Sequence, residues 1–117
     1  NYAAMVSGLF RQTLKPFFEG EISDEQGHAI YLAEKIATLG GTPTVSPAEV
    51  KQTTDVKEML ESAYQAEKET IDRYETRKKQ AEELGLTELV VKLEDLISDE
   101  TGHMEELGRI LADSRFE

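Results

Sequence analysis

A seven-residue motif occurs twice in the chain, 75 positions apart, and six of its seven residues are identical in the two copies. Each copy places a glutamate three residues before a histidine: Glu25 with His28, and Glu100 with His103. On an α-helix, residues with this spacing lie on one face, about one turn apart. Each copy can therefore offer a carboxylate and an imidazole to a metal ion, and the two copies together can hold a pair of ions.

Three glutamates fall on apolar helix stripes, where a carboxylate is unusual. Glu25, Glu67 and Glu100 are each flanked by apolar residues at helical spacing. Burying an uncompensated carboxylate costs several kcal/mol, so each must be protonated, paired with a cation or bound to a metal. All three lie about 11 or 12 residues into their expected helices, so they can meet at one level of a bundle. The predicted metal ligands are Glu25, His28, Glu67, Glu100 and His103, which suit two ions such as iron or manganese.

Three long helices are expected to carry these ligands. Apolar residues recur at spacings of three and four over residues 14–39, 55–84 and 87–111, as in amphipathic helices. Glycines follow the first two helices, and the short turn at Gly85 predicts that the last two are antiparallel. A further, short helix is expected over residues 1–10.

The expected helix starts depend on capping residues and on one proline. Thr13, Asp55 and Thr87 are predicted N-caps, because their side-chain oxygens can accept hydrogen bonds from the first backbone N–H groups. Pro16 is assigned to the first turn of its helix, where a missing N–H costs no hydrogen bond. This assignment predicts a tight turn at residues 11–12.

The segment 42–54 is predicted to be a long connection, because it contains two prolines and many small polar residues. Fully extended, a segment of about 14 residues reaches roughly 45 Å. A helix of about 26 residues is roughly 39 Å long. The connection can therefore return along a whole bundle, so that the helices before and after it run parallel.

Composition limits the classes of function. A chain of 117 residues with 38% hydrophobic content supports one domain, residues 1–117. A net charge of −11 repels phosphate backbones, so nucleic acid is not an expected partner. The chain has no cysteine, which excludes disulfides and cysteine-ligated metal centres. No run of about 18 apolar residues and no signal peptide is visible, so we expect no membrane partner. The absence of cysteine fits a reducing cytoplasm, which is the expected location.

With this motif spacing, the chain resembles the ferritin-like superfamily, including the bacterioferritins. In that family, Glu-x-x-His motifs on the second and fourth helices and single glutamates on the first and third hold a di-iron centre. The resemblance implies an all-α, ferritin-like four-helix bundle with a long crossover between its second and third helices. It also implies a ferroxidase that oxidises Fe(II) with O₂ or H₂O₂, for iron storage or detoxification, in a homo-oligomer.

Two positions depart from the family pattern. By the 75-residue repeat, the counterpart of Glu67 falls nine residues upstream of Asn1, so the first helix is interpreted as truncated. Water, or Glu21 one turn before Glu25 on the same stripe, would then take the place of the missing ligand. A glutamate at such a position is more often a carboxylate at the helix edge than a ligand. Bacterioferritins bind haem through a methionine where this chain has Gln26, so haem is not expected.

The sequence leaves two other functions open. A manganese-catalase-like protein or another di-metal oxidase would use the same ligands. A metal-free helical scaffold protein would retain the motifs without binding an ion. Metal ions raise the melting temperature only where a true site exists, because ligand binding stabilises the folded state by mass action.

Overall fold

The computed structural model describes residues 11–43 and 55–113 of the chain. Most residues in these two ranges are helical and none is in a strand, which confirms the all-α prediction. The helices within them are α1 (Arg11–Thr38), α2 (Val56–Glu83) and α3 (Thr87–Leu111). None of the three is long and apolar enough to cross a membrane.

The chain divides into two compact units, Asn1–Thr54 and Asp55–Glu117. The first unit contains α1, and the second contains α2 and α3. The short helix predicted over residues 1–10 lies outside the described residues, as does most of the connection predicted over residues 42–54.

The start of α1 differs from the prediction. Arg11 is already helical, so the tight turn at residues 11–12 and the N-cap at Thr13 are wrong. Arginine and glutamine are good helix formers, and neither residue interrupts the helix. Pro16 lies inside α1 and is exposed, so water can satisfy the carbonyl group that loses its intrahelical partner.

Glycines in the left-handed region end α1 and α2, as predicted. Gly40 has φ 89°, and the next residue, Gly41, donates its N–H to the Ile36 carbonyl at 2.9 Å. Gly85 has φ 70°, and Leu86 donates its N–H to a carbonyl group in the last turn of α2 at 3.0 Å. Both are Schellman motifs, which satisfy helix carbonyl groups that would otherwise lack partners.

The two N-cap predictions in the second unit have different outcomes. Asp55 caps α2, and its carboxylate accepts hydrogen bonds from the N–H groups of Lys57 at 2.9 Å and Glu58 at 3.3 Å. Thr87, predicted to cap α3, is instead its first helical residue, and Leu86 holds the N-cap position without a side-chain bond. The prediction was wrong by one residue because the Schellman motif already includes Leu86, so α3 begins immediately after it.

α2 and α3 form an antiparallel hairpin, as the short turn between them predicted. Near the start of α2, the Tyr64 ring lies 3.6 Å from the place that a Cβ atom on Gly108, near the end of α3, would occupy. At the other end, Lys78 of α2 pairs with Glu94 of α3 at 3.5 Å. Apolar side chains fill the hairpin, and those buried are Met59, Leu60, Ala63, Ala81, Leu93, Leu96 and Leu107.

We expect Gly102→Ala to raise the free energy of unfolding by about 0.5–1 kcal/mol, because alanine favours a helix interior over glycine. Gly102 lies inside α3, and no neighbouring atom lies within 4 Å of a Cβ atom built on it. The matched variant Gly85→Ala should lower stability by about 1–2 kcal/mol, because φ 70° is strained for alanine. Urea unfolding in the presence of a chelator measures both. A Gly102→Ala variant less stable than the wild type would contradict the finding that a Cβ atom at Gly102 meets open space.

Candidate metal centre

Two glutamates lie in the interior of the α2–α3 hairpin. The exposed fraction is 0% for Glu100 and 9% for Glu67. α3 presents Glu100 on the same face as Leu96 and Leu107, at positions i−4 and i+7, and both leucines are buried. A carboxylate at such a position loses its hydration and needs compensation by positive charge or by protonation.

His103 lies beside both of these carboxylates. Its Nδ1 atom is 3.9 Å from Glu67 Oε1 and 3.9 Å from Glu100 Oε2. One ligand atom from each of the three residues can be chosen so that all lie within 4.8 Å of one another. We call Glu67, Glu100 and His103 the hairpin cluster. It places two carboxylates and one imidazole around a common point.

The distances in the hairpin cluster suit a shared metal ion. Separations of 3.9 Å are longer than an N–H···O hydrogen bond. Donor atoms that bind one ion at 2.0–2.2 Å lie about 3–4.3 Å from one another, depending on the coordination angle. Oxygen and imidazole donors without sulfur suit iron, manganese or zinc. The residues of the hairpin cluster therefore fit a divalent ion in both chemistry and spacing.

The alternative compensation is a protonated His103. One imidazolium carries a single positive charge, whereas two ionised carboxylates carry two negative charges. The basic side chains with described ion pairs in this unit, such as Lys57, Lys78 and Arg109, pair with exposed glutamates at the surface. Such surface pairs contribute little to stability. A divalent ion matches the charge of the hairpin cluster more closely than a single proton does.

α1 carries the first copy of the repeated motif, whose histidine is buried and whose glutamate is half-buried. His28 is 7% exposed, and one carboxylate oxygen of the half-buried Glu25 is inaccessible to solvent. Three residues separate them, so both lie on one face of α1. The structure thus shelters His28 and one carboxylate oxygen of Glu25 from solvent, and their assignment as metal ligands stays a prediction.

Glu21 is a buried carboxylate of α1. It is only 9% exposed, comparable with Glu67. Its position four residues before Glu25, on the same helix face, predicts this burial. The preference for a helix-edge carboxylate over a ligand was wrong about exposure, since glutamates at the margin of an apolar stripe usually reach solvent.

Comparison with known proteins agrees with the all-helical fold. The sequence model of the ferritin-like domain family matches residues 1–116. A crystal structure described as ferritin-like, diiron-carboxylate proteins from Bacillus anthracis str. Ames is similar, with a TM-score of 0.90 and 72% sequence identity. The similarity covers 93% of this chain and 78% of that chain. Among curated proteins, none matches. The chain belongs to the ferritin-like family.

We expect Glu100→Gln to reduce the stabilisation that a divalent ion gives to the fold, because a neutral amide attracts a cation less strongly than a carboxylate. The rise in melting temperature on addition of Mn(II) or Zn(II) measures the change. Glu83→Gln, which removes the same charge from an exposed position near the end of α2, should keep the wild-type rise. A wild-type rise in Glu100→Gln would contradict a role for Glu100 in metal binding.

Proposed function

We propose that the chain is a ferroxidase-type di-iron protein, which binds two Fe(II) ions and oxidises them with O₂ or H₂O₂. The observation that carries the proposal is the hairpin cluster, in which two buried carboxylates and an imidazole have the spacing of ligands to one ion. The 72% identical structure described as diiron-carboxylate supports iron as the metal. Manganese would accept the same donor atoms and remains the alternative metal.

We assign five ligands to the pair of ions: Glu25, His28, Glu67, Glu100 and His103. The repeated motif supports the assignment, because each copy supplies one carboxylate and one imidazole at the same spacing. The burial of His28 and of a carboxylate oxygen of Glu25 supports the contribution of α1. Haem is not part of the proposal, since Gln26 occupies the position of the family's haem-ligating methionine.

Fe(II) is the substrate in this proposal, and two Fe(II) ions supply the two electrons that O₂ or H₂O₂ accepts. Each iron gains one positive charge when it is oxidised. The protein's buried carboxylates favour Fe(III) over Fe(II), because their attraction for that additional charge is weakly screened. The imidazoles of His28 and His103 would each bind the metal through a ring nitrogen. Apolar neighbours such as Leu96 and Leu107 exclude water from the carboxylates and keep this attraction strong.

Family membership extends the proposal beyond the ligands. We propose that residues 1–117 form one four-helix-bundle domain, with residues 42–54 as the long crossover. We further propose a homo-oligomer that stores or detoxifies iron in the cytoplasm. The strongly acidic composition would favour attraction of Fe(II) to the protein surface.

Removal of a proposed ligand should abolish fast aerobic oxidation of Fe(II). We expect Glu25→Ala and Glu100→Ala to lower the initial rate by at least about 100-fold, because the loss of a ligand leaves the ion weakly bound. The helical circular dichroism signal should remain. Stopped-flow absorbance of the ferric product measures the rate. Glu83→Ala, at an exposed position, is the control and should oxidise Fe(II) at the wild-type rate. Wild-type rates in both ligand variants would reject the assignment.

Metal binding itself should stabilise the fold. At a free ion concentration about 100 times the dissociation constant, binding contributes about 2.7 kcal/mol, which corresponds to roughly 10 °C in melting temperature for a chain of this size. Differential scanning fluorimetry with anaerobic Fe(II), with Mn(II) and with Zn(II) measures the shift. A melting temperature that none of these ions changes would favour the metal-free scaffold over a metalloprotein.

A further inference from the structure

The donors of the hairpin cluster all belong to one compact unit of the chain. Glu67 lies on α2, and Glu100 and His103 lie on α3. Both helices belong to the unit Asp55–Glu117. Three protein ligands, with a further coordination position left open, are enough to hold a catalytic zinc ion in other proteins. The hairpin cluster therefore has the number of donors that one tightly bound ion requires.

Contacts on both sides of the hairpin cluster fix the register of α2 against α3. The Tyr64 ring lies 3.6 Å from the place that a Cβ atom on Gly108 would occupy. Lys78 pairs with Glu94 at 3.5 Å. From the first contact to the second, the chain advances 14 residues along α2 and goes back 14 residues along α3. The two helices thus keep one antiparallel register over the whole stretch that contains the cluster.

Buried apolar side chains flank the hairpin cluster along both helices. On α2, the buried Ala63 lies one turn before Glu67. On α3, Leu96 precedes the two donors and Leu107 follows them, and both leucines are buried. Close packing of this kind restricts the movement of the helices and of the donor side chains. A ligand set that is already in place loses little conformational entropy when an ion binds, which favours affinity.

We propose that the hairpin cluster binds one divalent ion by itself, without the ligands of α1, and is the first position of the di-metal site to be filled. This inference rests on the proposed function and adds an order of binding to it. The hairpin supplies three of the proposed ligands, whereas α1 supplies two, Glu25 and His28, which are needed for the second ion only. O₂ or H₂O₂ takes two electrons from two Fe(II) ions, so a protein with only the hairpin position filled binds metal without fast oxidation.

The repeated motif supplies a matched pair of double variants for the test. One variant combines Glu25→Ala with His28→Ala, and the other combines Glu100→Ala with His103→Ala, so each removes one carboxylate and one imidazole. Calorimetric titration of the full chain with Zn(II), which has no redox chemistry, counts the bound ions. The wild-type protein should bind two ions. The α1 double variant should keep one ion within about tenfold of the tighter wild-type dissociation constant, and the α3 double variant should weaken that step by at least about 100-fold.

A second pair of variants separates the hairpin cluster from the general acidity of α2. Glu67 is buried, whereas Glu69, two residues further along the helix, is exposed. Glu67→Gln should weaken the tighter step by at least about tenfold, because the ion loses a charged ligand. Glu69→Gln removes the same charge and should leave both steps unchanged. The helical circular dichroism signal, measured with a chelator, checks the fold of each variant.

Anomalous diffraction from zinc-loaded crystals of the α1 double variant locates the retained ion. We expect one peak about 2.0–2.2 Å from donor atoms of Glu67, Glu100 and His103. Failure of this variant to bind one ion with the stated affinity, while the wild type binds two, would overturn the inference and leave the proposed function intact. An unchanged tighter step in the α3 double variant would do the same. A wild-type protein that binds no ion would overturn the proposed function itself.

Discussion

The compensation of buried negative charge is the constraint on which this structure depends. Glu100 is fully buried, Glu67 is nearly so, and His103 lies 3.9 Å from an oxygen of each. A chain that placed two carboxylates in an apolar hairpin without a compensating cation would lose stability that a small protein cannot spare. The leucines around the hairpin cluster stabilise the fold, and they also exclude the water that would otherwise screen the carboxylates. Packing and metal chemistry are therefore two consequences of one arrangement.

Much of this arrangement could be predicted from the sequence, because it depends on local spacing. The Glu-x-x-His motif specifies which side chains share a helix face, and the positions of Glu67 and Glu100 among apolar residues indicate burial. Asp55 caps the start of α2 and Gly85 ends it, and both effects depend only on backbone groups a few residues away. The two ends of α2 were therefore predicted correctly. The short turn then leaves only an antiparallel hairpin.

The errors have physical causes of a different kind. Pro16 is tolerated both in a first turn and on the exposed side of a longer helix, so the residue alone does not locate the start of α1. Thr87 is a good N-cap by type, but the Schellman motif that ends α2 includes Leu86 and leaves no separate capping residue. Helical period places Glu21 on the apolar stripe, but the extent of its burial depends on tertiary packing, which residue type and helical period do not specify.

Anomalous diffraction from crystals of the protein grown with Mn(II) or with anaerobic Fe(II) tests the central claim most directly. The account predicts two peaks about 3.5–4 Å apart. One of them should lie about 2.0–2.5 Å from ligand atoms of Glu100 and His103. A map without a peak beside Glu67, Glu100 and His103, at a metal concentration that saturates other divalent-ion proteins, would contradict it. The burial of these carboxylates would then need a compensation other than metal.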